Sequence, residues 1–228
     1  MRSDGERLVR PTAATFGDVA LRLHSAREMA ELLVVTADLA AEIFACPLVG
    51  VATLSRGAAL LDVVGTAAGF VRAEAAEPAS AWHRTLDAGE SLSVDASVGI
   101  RDIRALAPGL TEAGVRELAH VPLVPGRGRA VGVLSLYWTG SPADATDLQR
   151  FATHVALAME TLWYQHRLQA SIETHRVVSS SLGILMERYG IDSREAYDVL
   201  SKVSLEHRVK LRDIAVRVID DQDLLASG

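Results

Sequence analysis

The sequence is poor in the residues that staple, anchor or catalyse. Among 228 residues there is one cysteine, Cys46. A lone thiol closes no intramolecular disulfide and makes no cysteine-based zinc site, so buried apolar filler is its expected role. No apolar run reaches the roughly 18–20 residues of a membrane span, because Arg, Asp, Glu or His interrupts each one, and no membrane partner is expected. Met1 to Pro11 carries Arg2, Asp4, Glu6, Arg7 and Arg10 with no apolar stretch behind them, which does not fit a secretory signal. A cytoplasmic protein is expected. Also missing are a phosphate loop of P-loop spacing, a Gly-x-Ser-x-Gly elbow and a His-Glu-x-x-His pair. The seven histidines are dispersed and no receiver-type aspartate cluster is evident. Neither an enzyme nor a cofactor or metal site is expected.

Core-forming material is plentiful. Hydrophobic residues make up 49% against 23% charged, with mean hydropathy +0.19, which excludes a disordered chain. The length suits two domains. A net charge of −6 and a pI near 5.6 exclude a uniformly basic nucleic-acid coat. The charge is uneven, however. Residues 171–219 hold eight Lys/Arg against seven Asp/Glu, a net +1 that leaves −7 for the remainder, and both lysines, Lys202 and Lys210, fall there.

Residues 1–24 show no sustained period and read as an N-terminal arm. Ser25-Ala26-Arg27-Glu28 has the form of a capping box, followed by Met29, Leu32, Leu33, Thr36, Leu39, Ala40 and Ile43 at helical spacing until Pro47. Leu48 to Leu54 and Ala59 to Val64 are short apolar runs around Ser55-Arg56-Gly57, the pattern of a hairpin. Helical composition over 66–90, broken at Pro78 and Gly89, leads to a strand at Ser91 to Val94. A short helix is expected before Pro108. Residues 115–124 and 130–138 form a second hairpin about Pro125-Gly126-Arg127-Gly128. This order describes an α+β domain with an antiparallel sheet and helices outside it.

Neither Gly nor Pro occurs between Ala143 and Leu182. Phe151, Val155, Ala158, Leu162, Gln165, Gln169 and Ile172 alternate four and three apart, as in a coiled-coil seam. One helix of about 40 residues would run roughly 60 Å. Two helices with a break near Tyr164-Gln165-His166-Arg167 are the alternative. In the first case the seam faces an identical partner, with Gln165 and Gln169 setting register, and a homodimer with a signalling stalk results. Downstream, Gly190 ends a helix, Asp192-Ser193-Arg194-Glu195 is a capping box, and Ser204 is placed to cap a third helix.

The text of this last region carries a family resemblance. Ser181-Leu182-Gly183-Ile184-Leu185-Met186, Glu195-Ala196-Tyr197, Ser204 and Lys210-Leu211-Arg212-Asp213-Ile214-Ala215 resemble the ANTAR domain, which runs Ala-Lys-Gly-Ile-Leu-Met, Glu-Ala-Phe/Tyr, Ser and Lys-Leu-Arg-Asp-Val-Ala at the same spacings. The resemblance implies a C-terminal three-helix ANTAR RNA-binding domain over 165–224. It would bind paired hairpins in nascent RNA and promote antitermination of bacterial transcription, touching RNA polymerase only indirectly. It implies an RNA face of Arg176, Ser180, Gly183, Arg188, Arg208, Lys210 and Arg212. This chain departs from the pattern at Leu182, where the family has Lys, and at Arg208, where it commonly has Asn. Arg208 and Arg212, four apart, are expected to share a face of the third helix. Gly183, Met186 and Ala196 are expected to pack.

Residues 25–164 resemble a GAF sensor domain, through the helix-strand-strand order, His120-Val121-Pro122-Leu123 before a turn, Ala130-Val131-Gly132-Val133-Leu134 after it, and the long closing helix. That family implies a five- or six-stranded antiparallel sheet with a ligand pocket on one face. The chain has Ala76-Glu77-Pro78-Ala79-Ser80 where related sensors have a Gly-Pro-Cys-like element, and no cyclic-nucleotide signature. Trp82, His83, His120 and Tyr137 are the candidate pocket residues for an unknown small molecule, and Trp138 is as well placed for the core. A sensing, RNA-binding antitermination regulator is the leading expectation. The alternative is a small-molecule-binding GAF protein whose helical tail serves dimerisation or DNA binding.

Overall fold

The structure is a computed structural model that describes residues 13–55, 60–77, 80–88, 92–95, 107–126 and 128–226. The expected turn at Arg56-Gly57, the breaks at Pro78 and Gly89, and Ser91 lie outside the described residues. The chain divides into two compact units, 1–162 and 163–228.

The first unit is built on a five-stranded sheet of β1 (Leu48–Leu54), β2 (Leu60–Val64), β3 (Leu92–Asp95), β4 (Glu117–Leu123) and β5 (Gly132–Trp138). Its order is β2-β1-β5-β4-β3, with each neighbouring pair antiparallel. The central strands are buried on both faces, so alternate residues feed two separate cores. Val49 and Val51 of β1, Ala119 and Val121 of β4, and Leu134, Leu136 and Trp138 of β5 face one core. Ala52 and Leu54, Leu118, and Val133 and Tyr137 face the other.

The first core is closed by α1 (Ala13–Ser25), α2 (Met29–Ile43) and the start of a long helix, α6 (Ala145–Tyr189). The second contains residues of α3 (Ala68–Ala76), α4 (Ala81–Ala88) and α5 (Ala107–Glu112). Gly50 admits α3 to the sheet: a Cβ there would stand 2.5 Å from Cγ2 of Val71. Trp138 is core, donating Nε1–H to the Phe44 carbonyl at 3.1 Å.

Several local expectations are corrected. Residues 13–25 are no arm but a helix, because Val19 and Leu23, four apart, bury against the first core. Ser25 therefore ends α1, its hydroxyl donating to the Arg22 carbonyl at 2.7 Å, and α2 starts after Glu28 without a side-chain cap. Pro108 sits within the first turn of α5, where its missing N–H costs no helical bond.

α6 runs unbroken for 45 residues, through Tyr164–Arg167 and Gly183. The expected dimer seam is nevertheless spent within the chain over its first half. Phe151, Val155, Ala158 and Leu162 are buried in the first core, Phe151 edge-on to Phe44 at 5.4 Å. Gln165, Gln169 and Ile172 are exposed.

In the second unit the end of α6 packs with α7 (Ser193–His207) and α8 (Leu211–Ala226). Their core is small: Leu185, Ala196, Leu200 and Ile214, flanked by Leu182, Ile191, Val203, Val209, Leu211 and Val218. Gly190, at φ +65°, turns the chain out of α6. The capping box forms as expected, with Asp192 accepting from the Glu195 amide at 2.8 Å and Glu195 accepting from the Asp192 amide at 3.0 Å. Ser204, by contrast, lies inside α7. Its hydroxyl donates to the Val209 carbonyl at 2.6 Å and ties down the turn that follows.

Candidate functional site

A buried polar cluster sits on the α3–α4 face of the sheet. Strand alternation puts His120, Ser135 and Tyr137 on that face, with His120 and Ser135 directly opposite in register. His120 Nδ1 and Ser135 Oγ are 2.9 Å apart, and His120 Nε2 is 2.8 Å from Oε2 of Glu74, which α3 lowers onto the sheet. Both Glu74 and His120 have no exposed surface. The Tyr137 ring stands edge-on to His120 at 6.0 Å and tilted against Phe70 at 5.9 Å. Burial, and then the charge of Glu74, push its hydroxyl well above the usual tyrosine range.

Hydrogen-bonding capacity in this core is left over. Oε1 of Glu74 and Nε1 of Trp82 are buried and have no hydrogen-bond partner among the described residues, and the Tyr137 hydroxyl is buried beside Glu74 and Ser135. Such groups cost about 1–3 kcal/mol each unless something satisfies them. Of the expected pocket residues, Trp82, His120 and Tyr137 come to this face. His83 is half-buried, with Nδ1 3.1 Å from the Ser80 hydroxyl and its ring edge-on to Trp82. Glu74 and Ser135 were missed; a lone acid among the apolar residues of α3 was the available signal. Cys46 is apolar filler, as expected: burial pushes its thiol up to about 11.

The expected RNA residues occupy two stretches of the second unit. Arg176, Ser180 and Gly183 recur at i, i+4 and i+7, so they line one side of α6, all exposed. A Cβ on Gly183 would meet nothing within 4 Å, so this glycine does not serve packing within the chain, and Met186 is also exposed. Ala196 packs as expected. Arg176 is drawn to Glu173, Nε to Oε2 at 3.2 Å. Arg188 is exposed and stands off that row.

Arg208, Lys210 and Arg212 cluster at the α7–α8 connection. Arg208 and Arg212 do not share a helix, because Arg208 is the left-handed residue that ends α7, at φ +54°. That conformation favours Asn and Gly, which gives a physical reason for the Asn the family commonly has there. Among the described residues no ion pair is formed by Arg188, Arg208, Lys210 or Arg212. No group of three or more His, Cys, Asp or Glu among the described residues could hold a metal ion, and no described helix is long and apolar enough to cross a membrane.

Comparison with known proteins assigns a family to each of the two regions. The GAF domain profile matches residues 28–159, more than half of the chain, and the ANTAR domain profile matches residues 166–219. The chain belongs to the GAF family, with an ANTAR domain following the GAF domain. Together they make it a signal-sensing regulator with an RNA-binding output domain. Solved structures similar to it include the GAF domain of an Acinetobacter phosphoenolpyruvate-protein phosphotransferase, at 11% identity and TM-score 0.49, covering 68% of this chain and 93% of that one. Another is free methionine-R-sulfoxide reductase from Neisseria meningitidis in complex with its substrate, at 17% identity and TM-score 0.48, covering 72% and 96%. No curated protein sequence matches the chain.

Proposed function

We propose that this protein is a dimeric antitermination regulator, not an enzyme: its ANTAR domain binds two adjacent hairpins in a nascent transcript, and its GAF domain sets that activity in response to a small molecule. The reading rests on one observation above the others. The region matched as ANTAR carries Arg188, Arg208, Lys210 and Arg212 exposed and without ion-pair partners among the described residues, in a chain that is otherwise acidic. Free cations on an acidic protein suit a polyanion docked on one surface.

Two further features support the finer parts. Leu157, Tyr164, Leu168 and Ile172 are exposed along one side of α6, an apolar stripe that a second copy would cover. The unpartnered Glu74 and Trp82 atoms are groups a small polar ligand would satisfy. Binding of the full chain to a transcript with two adjacent short hairpins, against matched duplex DNA across a salt series, tests the RNA reading. Tighter, salt-sensitive binding to the hairpins is expected. Equal, weak binding to both refutes it.

A further inference from the structure

Glu74 brings a carboxylate into an otherwise apolar core, and its ion-pair partner there is a histidine, His120. The guanidinium two residues back along α3, that of Arg72, is turned instead to the Val63 carbonyl and to Asp62. A carboxylate offers about four acceptor sites. The His120 Nε2 and Tyr137 hydroxyl groups stand beside this one and do not fill them, since Oε1 has no hydrogen-bond partner among the described residues. Trp82 supplies a second unused group, a buried indole N–H, from α4, which packs on α3 and on β4, the strand of His120. Phe70 and Tyr137 add their rings to the same core. Phe70 and His83, both half-buried, mark where the cluster approaches solvent.

We infer that the ligand sensed at this face is a small protonated amine, its ammonium N–H groups donating to Oε1 of Glu74 and its charge balancing the carboxylate. That names the class of ligand for the small-molecule reading above, on which it rests. With Ser135 donating to His120 Nδ1, the imidazole donates Nε2–H to Glu74 and stays neutral, so the carboxylate keeps its full charge. A buried charge without a countercharge is costly, and an ammonium ion supplies one while filling the unused acceptor. The surrounding rings favour the same sign of charge, because aromatic faces are negative. An anionic ligand would meet the opposite field. Tyr137 registers that field already: after burial, the charge of Glu74 is the next cause that holds its proton beyond the ordinary tyrosine range. Because Glu74 and Trp82 are buried, a ligand reaches them only as α3 or α4 lifts from the sheet, which ties occupancy to the position of two short helices.

The test measures binding to the full chain at neutral pH, by calorimetry and by tryptophan fluorescence. Benzylamine, benzyl alcohol and benzoate share one ring and differ in charge, and benzyltrimethylammonium keeps the positive charge without an N–H. Benzylamine should bind at least about 10-fold more tightly than the other three. Glu74→Gln, which keeps the shape and removes the charge, should weaken benzylamine roughly 10- to 100-fold. Trp82→Phe should keep the binding and lose the fluorescence change, because Trp138 lies in the other core and Trp163 in the second unit. Where Glu74→Gln does not fold, the Trp82→Phe comparison and the four probes carry the test. Tighter binding of benzyl alcohol or benzoate overturns the inference and leaves small-molecule sensing standing, as does equal binding of benzyltrimethylammonium. Benzylamine affinity unchanged in Glu74→Gln, or a fluorescence change that survives Trp82→Phe, also overturns it, since the amine then sits elsewhere. Binding of none of the four probes removes the inference together with the sensing reading at this face.

Discussion

Tyr137 couples the GAF core to pH. Folded, its hydroxyl keeps its proton to a higher pH than in the unfolded chain, because burial and Glu74 disfavour the phenolate. Its contribution is therefore fully present below the unfolded value, about 10, and is lost as pH rises through the folded one. The thermal midpoint should fall steeply above about pH 10, and Tyr137→Phe should flatten that alkaline limb in a melting series. At neutral pH the variant should stay within about 1 kcal/mol of wild type, since the ring remains and only the contacts of the hydroxyl with Glu74 and Ser135 are lost. Gly183 raises a different question. Nothing stands over it, so Gly183→Ala should stabilise α6 by about 0.5–1 kcal/mol, read as a higher melting temperature. Weaker RNA binding by the more stable variant would mark the bare backbone at 183 as a place of close approach. Unchanged binding would take Gly183 out of the RNA face.

Among the elements, α6 has two different surroundings along its length. Its first turns are held by the sheet core, through Phe151, Val155, Ala158 and Leu162. From Tyr164 to Ile172 every side chain is exposed, an arrangement with little tertiary support for a helix. The proposed dimer would cover Leu157, Tyr164, Leu168 and Ile172, of which only Ile172 belongs to the seam that Gln165 and Gln169 extend. Leu168→Glu should then lower the mass measured by light scattering from dimer to monomer, whereas Gln169→Glu should not. Equal masses for wild type and Leu168→Glu would show that the stripe is not the interface. α7 is specified more locally: the Asp192–Glu195 box starts it, and Arg208 in the left-handed conformation stops it.

For the molecule as a whole, the proposed output is electrostatic and should depend on salt. Removing Arg208 and Arg212 together should weaken RNA binding and lower the log-log salt slope by roughly 0.7 for each single-strand phosphate that is no longer neutralised. Arg208→Asn with Arg212→Gln is the appropriate pair, because Asn tolerates φ +54° and the bundle keeps its turn. An unchanged slope would mean that neither cation meets a phosphate. Such a result would leave Arg176, Arg188 and Lys210 to carry the affinity.

Much of this organisation was written into the sequence by itself. Alternation along 115–138, the uninterrupted stretch after Ala143, the Asp192 box and the ANTAR-like blocks are local patterns, and local patterns specify elements and family. Tertiary structure alone decided which apolar faces were consumed. The seam from Phe151 to Leu162 satisfies a coiled coil and a sheet equally well by spacing, and only the folded sheet shows that it takes these residues. Ser204 and Arg208 read as part of a third helix until the turn at Val209 places them at the end of the second. Glu74 carried almost no signal, since its partner His120 lies 46 positions away in the chain and meets it only when α3 crosses the sheet above Gly50. Spacing sets periodicity along one element, but burial and pairing arise between elements distant in sequence. The α3–α4 site therefore existed only once the chain had closed.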